Sequence, residues 1–109
     1  MERLVKGDIV TMRFPFSDLS AVKKRPAFVL ATGKGDDAIL CQITSKSTDT
    51  EGIALTTASF AKGRLPCDCF IRPNKLFTGH ASIITSRAGH VHATKTKEVV
   101  TAVCRIIQR

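Results

Sequence analysis

The chain has 109 residues and a mass of 11.8 kDa, the size of one domain with about two-thirds of its unfolded surface buried on folding. Seventeen Lys and Arg against nine Asp and Glu give a net charge of +8 and a sequence pI near 9.8. That excess favours a polyanionic partner, nucleic acid ahead of anionic lipid, and the 43% apolar content fits a globular protein. No apolar run approaches the roughly 20 residues of a membrane span, and the charged start MERLVKGD does not read as a signal peptide, so a cytoplasmic location is expected.

In chain order, Gly7–Phe14 alternates weakly, with Ile9, Thr11 and Arg13 opposite Val10, Met12 and Phe14. This predicts a strand with one face on a core, ended by Pro15. Residues 15–24 then make a connection longer than the usual hairpin loop of about two to five residues, a length that favours a functional loop. The uncharged run Ala27–Ala31 predicts a central strand, Gly33–Asp36 a turn, and Asp37–Thr44 the partner strand. Ile53–Thr57 is a short β-prone piece, and Ser59–Lys62 has the look of one helical turn. Cys69–Phe77 reads as a strand interrupted at Pro73 by an edge or a bulge. Ser82–Ser86 is compatible with helix or strand. Gly89–Ala93 alternates, with His90 and His92 on one side and Val91 on the other. Thr94 or Thr96 is placed to cap a terminal helix whose apolar stripe is Val99, Val100, Val103, Ile106 and Ile107. The expected fold class is mainly β, closed by one packed helix.

Several motifs invite chemistry and do not carry it. Gly33-Lys34-Gly35 lacks the phosphate-loop spacing and no helix pattern follows it. Cys67-Asp68-Cys69 with His80, His90 and His92 lacks zinc-site spacing, so no metal and no cofactor is expected. Cys41 and Cys104 sit in apolar runs as small hydrophobes, and all four cysteines are expected as thiols. His90 and His92 titrate near neutrality and stand as a minor candidate for general base.

The stronger signal is basic. Lys23 and Lys24 suit a solvated turn, but Arg25 precedes Pro26 and an uncharged strand, at the rim of the core. Partial desolvation there strengthens pairing of a guanidinium with phosphate. Hairpin-linked strands bring the start of one beside the end of the other, which sets the Thr44 and Ser45 hydroxyls near Arg25. Arg72, Lys75, Arg87, Phe16 and Phe70 are candidates to extend a groove for single-stranded nucleic acid, although phenylalanines are more often core and the chain has no Tyr or Trp.

With these residues in place, the chain resembles the MazF/PemK family of toxin endoribonucleases from bacterial toxin–antitoxin pairs. The resemblance is carried by Gly7-Asp8-Ile9-Val10, Lys24-Arg25-Pro26-Ala27, Ile43-Thr44-Ser45, Arg72-Pro73-Asn74-Lys75-Leu76-Phe77 and the terminal helix after Gly89. It implies a small SH3-like barrel of the MazF/PemK/CcdB type over residues 1–109, a homodimer cutting single-stranded RNA without a metal. Arg25 and Thr44 match the family's catalytic positions, and residues 15–24 match the loop that shapes the RNA groove and is blocked by an antitoxin peptide. Ser20, Lys23, Lys24 and Ser45 join Phe16, Arg72, Lys75 and Arg87 as expected RNA contacts. The chain departs from the pattern at Ser20 and Asn74, positions often acidic in relatives. Those departures leave a non-catalytic RNA-binding module as the alternative, with a CcdB-like topoisomerase inhibitor behind it.

Overall fold

The computed structural model describes residues 3–13, 24–47 and 50–109. Seven strands form one antiparallel sheet in the order β4-β6-β3-β2-β1-β7-β5. They are β1 (Asp8–Arg13), β2 (Lys24–Thr32), β3 (Asp37–Thr44), β4 (Ile53–Leu55), β5 (Phe60–Gly63), β6 (Cys69–His80) and β7 (Ile84–Val91), followed by helix α1 (Ala93–Ile107).

The short link between the two outermost strands forces the sheet to curl. Flat, seven strands would hold β4 and β5 about 29 Å apart, six spacings of roughly 4.8 Å. Residues 56–59 join Leu55 to Phe60 and reach at most about 18 Å fully extended. Thr57–Ser59 is in fact a 3₁₀ turn, which shortens the reach further. Leu55 and Phe60 both pack in the core enclosed by the curl, with Ile9, Phe28, Cys41, Ile43, Ile71 and the helix residues Val99 and Val103. A second core lies on the other face, built from Leu4, Val10, Met12, Ala27, Val29, Ala38, Leu40 and Ile84. The result is the expected mainly β barrel with a terminal helix.

Two apolar cores explain one departure from expectation. β1 is buried on both faces, Ile9 in one core and Val10 and Met12 in the other, where the alternation suggested one covered face. β1 is flanked by β2 and β7, so its weak alternation reflects a central position. β2 begins earlier than its apolar run, because Arg13 and Met12 pair with Lys24 and Arg25 and draw both cations into the ladder. The rest of the long connection lies outside the described residues.

Ser59–Lys62 is not one helical turn. Ser59 ends the 3₁₀ turn and its Oγ accepts from the Thr56 amide, while Phe60–Gly63 is a strand that pairs with β7. β5 meets β7 so closely that a Cβ on Gly63 would sit 2.1 Å from the Ala88 carbonyl oxygen. Pro73 marks a bulge in β6, where the register jumps from Leu76 opposite Cys41 to Arg72 opposite Gln42. Ser82–Ser86 divides between a 3₁₀ turn at Ala81–Ile83 and the start of β7.

Helix α1 starts at Ala93 with His92 at the cap position, so Thr94 and Thr96 fall inside the first turn. Tertiary anchoring sets this start: Val91 N donates to Gly7 O and His92 N to Ser59 O. Val99 and Val103 are buried, Val100 and Ile106 half-buried, and Ile107 is 69% exposed. Cys104 lies off that stripe and is exposed, against the expectation that it packs as a hydrophobe. Among the described residues no helix is long and apolar enough to cross a membrane.

Candidate active site

Strand register decides which side chains share a face. Ala27 pairs with Gln42, so two further residues along the β2–β3 ladder bring Arg25 level with Thr44. The ladder itself ends at Ala27 and Gln42, with Arg25 and Thr44 just beyond it. Thr44 in turn faces Phe70 on β6, and Gln42 faces Arg72. Arg25, Gln42, Thr44, Phe70 and Arg72 therefore occupy one face near one end of the sheet.

A groove of about 680 Å³ opens where these strands end. Ile43, Cys69 and Leu65 contribute apolar surface continuous with the enclosed core. Lys24, Arg25, Thr44, Ser45 and Lys46 supply the polar lining, and Pro66 and Cys67 complete one wall. Three cations and no acid lie among the described lining residues, so the groove suits a phosphate chain. Arg25 is exposed and has no acidic partner among the described residues.

The Thr44 hydroxyl has a defined orientation. Its Oγ1 accepts from the Lys46 amide at 3.1 Å, in a short turn that ends β3. With that oxygen occupied as an acceptor, its own O–H is left to donate. A guanidinium and a hydroxyl donor side by side are matched to non-bridging phosphate oxygens.

The remaining expected contacts divide. Lys24 and Ser45 line the groove with Arg25 and Thr44. Arg72 is half-buried on the same face, and Lys75 is exposed on the β6 bulge, outside the groove lining. Phe16, Ser20 and Lys23 lie outside the described residues. Arg87 does not join the groove. Its Nε lies 3.0 Å from Asp8 Oδ2, and its Nη2 donates to the Arg3 carbonyl at 2.8 Å.

Asp8 is only 2% exposed, and a buried carboxylate requires donors. Val5 N and His90 Nδ1, the latter at 2.8 Å, supply them, and the Arg87 guanidinium adds an ion pair. Arg87 and His90 thus hold the start of β1, and His90 is separated from the groove. His92 stands at the N-cap position of the helix and His80 bonds Ser82, so the three histidines occupy three separate places.

Sequence reasoning missed Lys46 and the wall at Leu65–Cys67. Lys46 was within reach as the residue after Thr44-Ser45, but the folding of residues 65–67 over the strand ends depends on β5 crossing to β7. Burial pushes the Cys41 thiol up to about 12. Burial first, then the bond to Cys67, pushes Cys69 up to about 11.

The curled sheet, the terminal helix and the basic groove at the strand ends define a small mainly β barrel with a cationic groove. The model of PemK-like, MazF-like toxins of type II toxin–antitoxin systems matches residues 5–107, and the chain belongs to that family. Solved structures agree in fold. An endoribonuclease in complex with its cognate antitoxin, from a mycobacterial species, superposes with a TM-score of 0.76 at 11% identity, covering 99% of this chain and 96% of that one. MazF (Form-I) from Deinococcus radiodurans gives 0.72 at 17% identity over 95% and 96%. The Mycobacterium tuberculosis toxin MazF-mt6 gives 0.70 at 11% identity over 93% and 96%. Curated proteins yield no significant match to the sequence.

Proposed function

We propose that this protein is a metal-independent endoribonuclease toxin that cleaves single-stranded RNA. The ribose 2′-hydroxyl attacks its own 3′-phosphate, leaving a cyclic phosphate and a free 5′-hydroxyl. The substrate supplies the nucleophile, so the protein has to stabilise the charge that builds on the phosphoryl oxygens. Arg25 does so with paired N–H donors, and Thr44 adds one O–H donor. The observation that carries this reading is the juxtaposition in one groove of Thr44, whose oxygen is already bonded to Lys46, with Arg25, which has no acidic partner among the described residues. Lys24, Ser45 and Lys46 bind flanking phosphates, and Phe70 and Arg72 extend the track along the same face.

The protein works as a single domain in the cytoplasm, as a homodimer, and a cognate antitoxin restrains it. Family membership and the antitoxin-bound mycobacterial neighbour support the last point. The test compares a single-stranded RNA with the DNA of the same sequence, in excess chelator. RNA is expected to be cut and DNA to survive, since DNA lacks the attacking hydroxyl. Cleavage of both, or of neither, would overturn the proposal.

A further inference from the structure

The groove wall carries a pair of thiols that the cleavage chemistry does not use. Cys67 is exposed and Cys69 is buried, both line the groove with Arg25 and Thr44, and their Sγ atoms lie 3.9 Å apart. We propose that Cys67 and Cys69 form a thiol modification site, closed to a disulfide by a peroxide, and that closure slows RNA cleavage. The coupling to cleavage rests on the ribonuclease reading above; the disulfide does not.

The two sulfurs have distinct roles. Cys69 directs its S–H toward Cys67, with the Cys67 carbonyl oxygen at 3.4 Å and the Cys67 sulfur beyond it. Burial and this contact push the Cys69 thiol up to about 11, so it stays protonated near neutral pH. The exposed Cys67 is the sulfur a peroxide reaches. Its thiolate attacks one peroxide oxygen, the O–O bond breaks, and a sulfenic acid forms as the other oxygen leaves as water. Cys69 then loses its proton and attacks Cys67 Sγ, forming the S–S bond and expelling a second water. Two thiols lose two electrons and two protons, and one peroxide becomes two waters.

Closure requires the sulfurs to approach from 3.9 Å to about 2.05 Å. Cys69 is held in the β6 ladder opposite Leu55, whereas Cys67 sits in a bend outside any strand. The movement therefore falls on Pro66–Cys67, in the groove that Arg25 and Thr44 also line. Cys41 is sealed in the core and Cys104 stands alone on the helix, so neither competes for this bond.

The experiment treats the purified protein with hydrogen peroxide and reads intact mass, disulfide-linked peptides and RNA cleavage. Expected are loss of two hydrogens, a Cys67–Cys69 link reversed by dithiothreitol, and cleavage slowed about ten-fold or more relative to the reduced form. Cys67→Ser, compared with its own reduced form, should show neither the link nor the slowing. An unchanged mass, a link through Cys41 or Cys104, or a disulfide that leaves cleavage unaltered would overturn the proposal. Reduced protein that cuts no RNA, while the disulfide still forms, would defeat the ribonuclease reading and the coupling together and leave the modification site standing.

Discussion

On the proposed mechanism, Arg25→Ala removes the paired donors at the phosphate and should lower RNA cleavage about 100- to 1000-fold, measured under single turnover on a fixed substrate. Thr44→Val keeps the strand shape and deletes the hydroxyl, so a similar or smaller loss is expected with little change in thermal midpoint. Arg25→Lys keeps the charge but loses the planar fork, and should recover only part of the rate. A different residue governs behaviour at high pH. Cys41 is fully buried and its thiol is raised to about 12, against an ordinary value of 9.0. The folded state therefore favours the neutral thiol. That stability is fully present below about pH 9 and is lost as pH climbs toward 12, at up to about 1.4 kcal/mol per pH unit. Urea denaturation between pH 8 and 10.5 should find the stability advantage of the wild type over Cys41→Ala shrinking as pH rises. A constant difference would contradict it.

At the scale of elements, the barrel depends on how β1, β7 and α1 meet. Gly7 has φ +96°, and a Cβ there would lie 2.7 Å from Thr96 Oγ1. Gly7→Ala should cost at least about 1 kcal/mol, because both the backbone conformation and the space are unsuitable. Adding Thr96→Ala should recover only the steric share, which chemical denaturation of the single and double variants would resolve. Val103→Ala should cost about 1.5–3 kcal/mol from two lost methyl groups and the cavity they leave. Ile107→Ala, at an exposed position, should cost much less. The helix was legible because its spacing of valines records one buried stripe. Its first residue was not, since the backbone bonds from Val91 and His92 reach partners far along the chain. The same holds at Phe60: the local pattern suits a helical turn, and pairing with β7 makes it a strand.

For the whole molecule, the charge of +8 was readable at once, and its distribution was not. That Arg25, Thr44, Lys24 and Ser45 line one groove was legible because a hairpin brings strand ends together by a local rule. Arg87 was misassigned because a cation's sequence neighbours do not reveal a buried carboxylate 79 positions earlier; Asp8 claims it. Lys46 and the thiol wall depended on the curl of the sheet, a global property. If the groove binds a phosphate chain, RNA affinity should fall steeply with salt. Lys46→Ala should then reduce the slope of log K against log salt by about 0.7, the share of one phosphate contact on a single strand. Titrations at several salt concentrations would measure it, and an unchanged slope would remove Lys46 from the RNA path.

On the proposed mechanism, Arg25 and Thr44 act on a phosphate attacked by its own ribose. The most direct measurement is the chemistry of the ends released when the purified protein cuts single-stranded RNA in excess chelator. A 2′,3′-cyclic phosphate on one side and a 5′-hydroxyl on the other are expected, with Arg25→Ala yielding almost none. Fragments bearing 5′-phosphates, or undiminished cutting by Arg25→Ala, would contradict it.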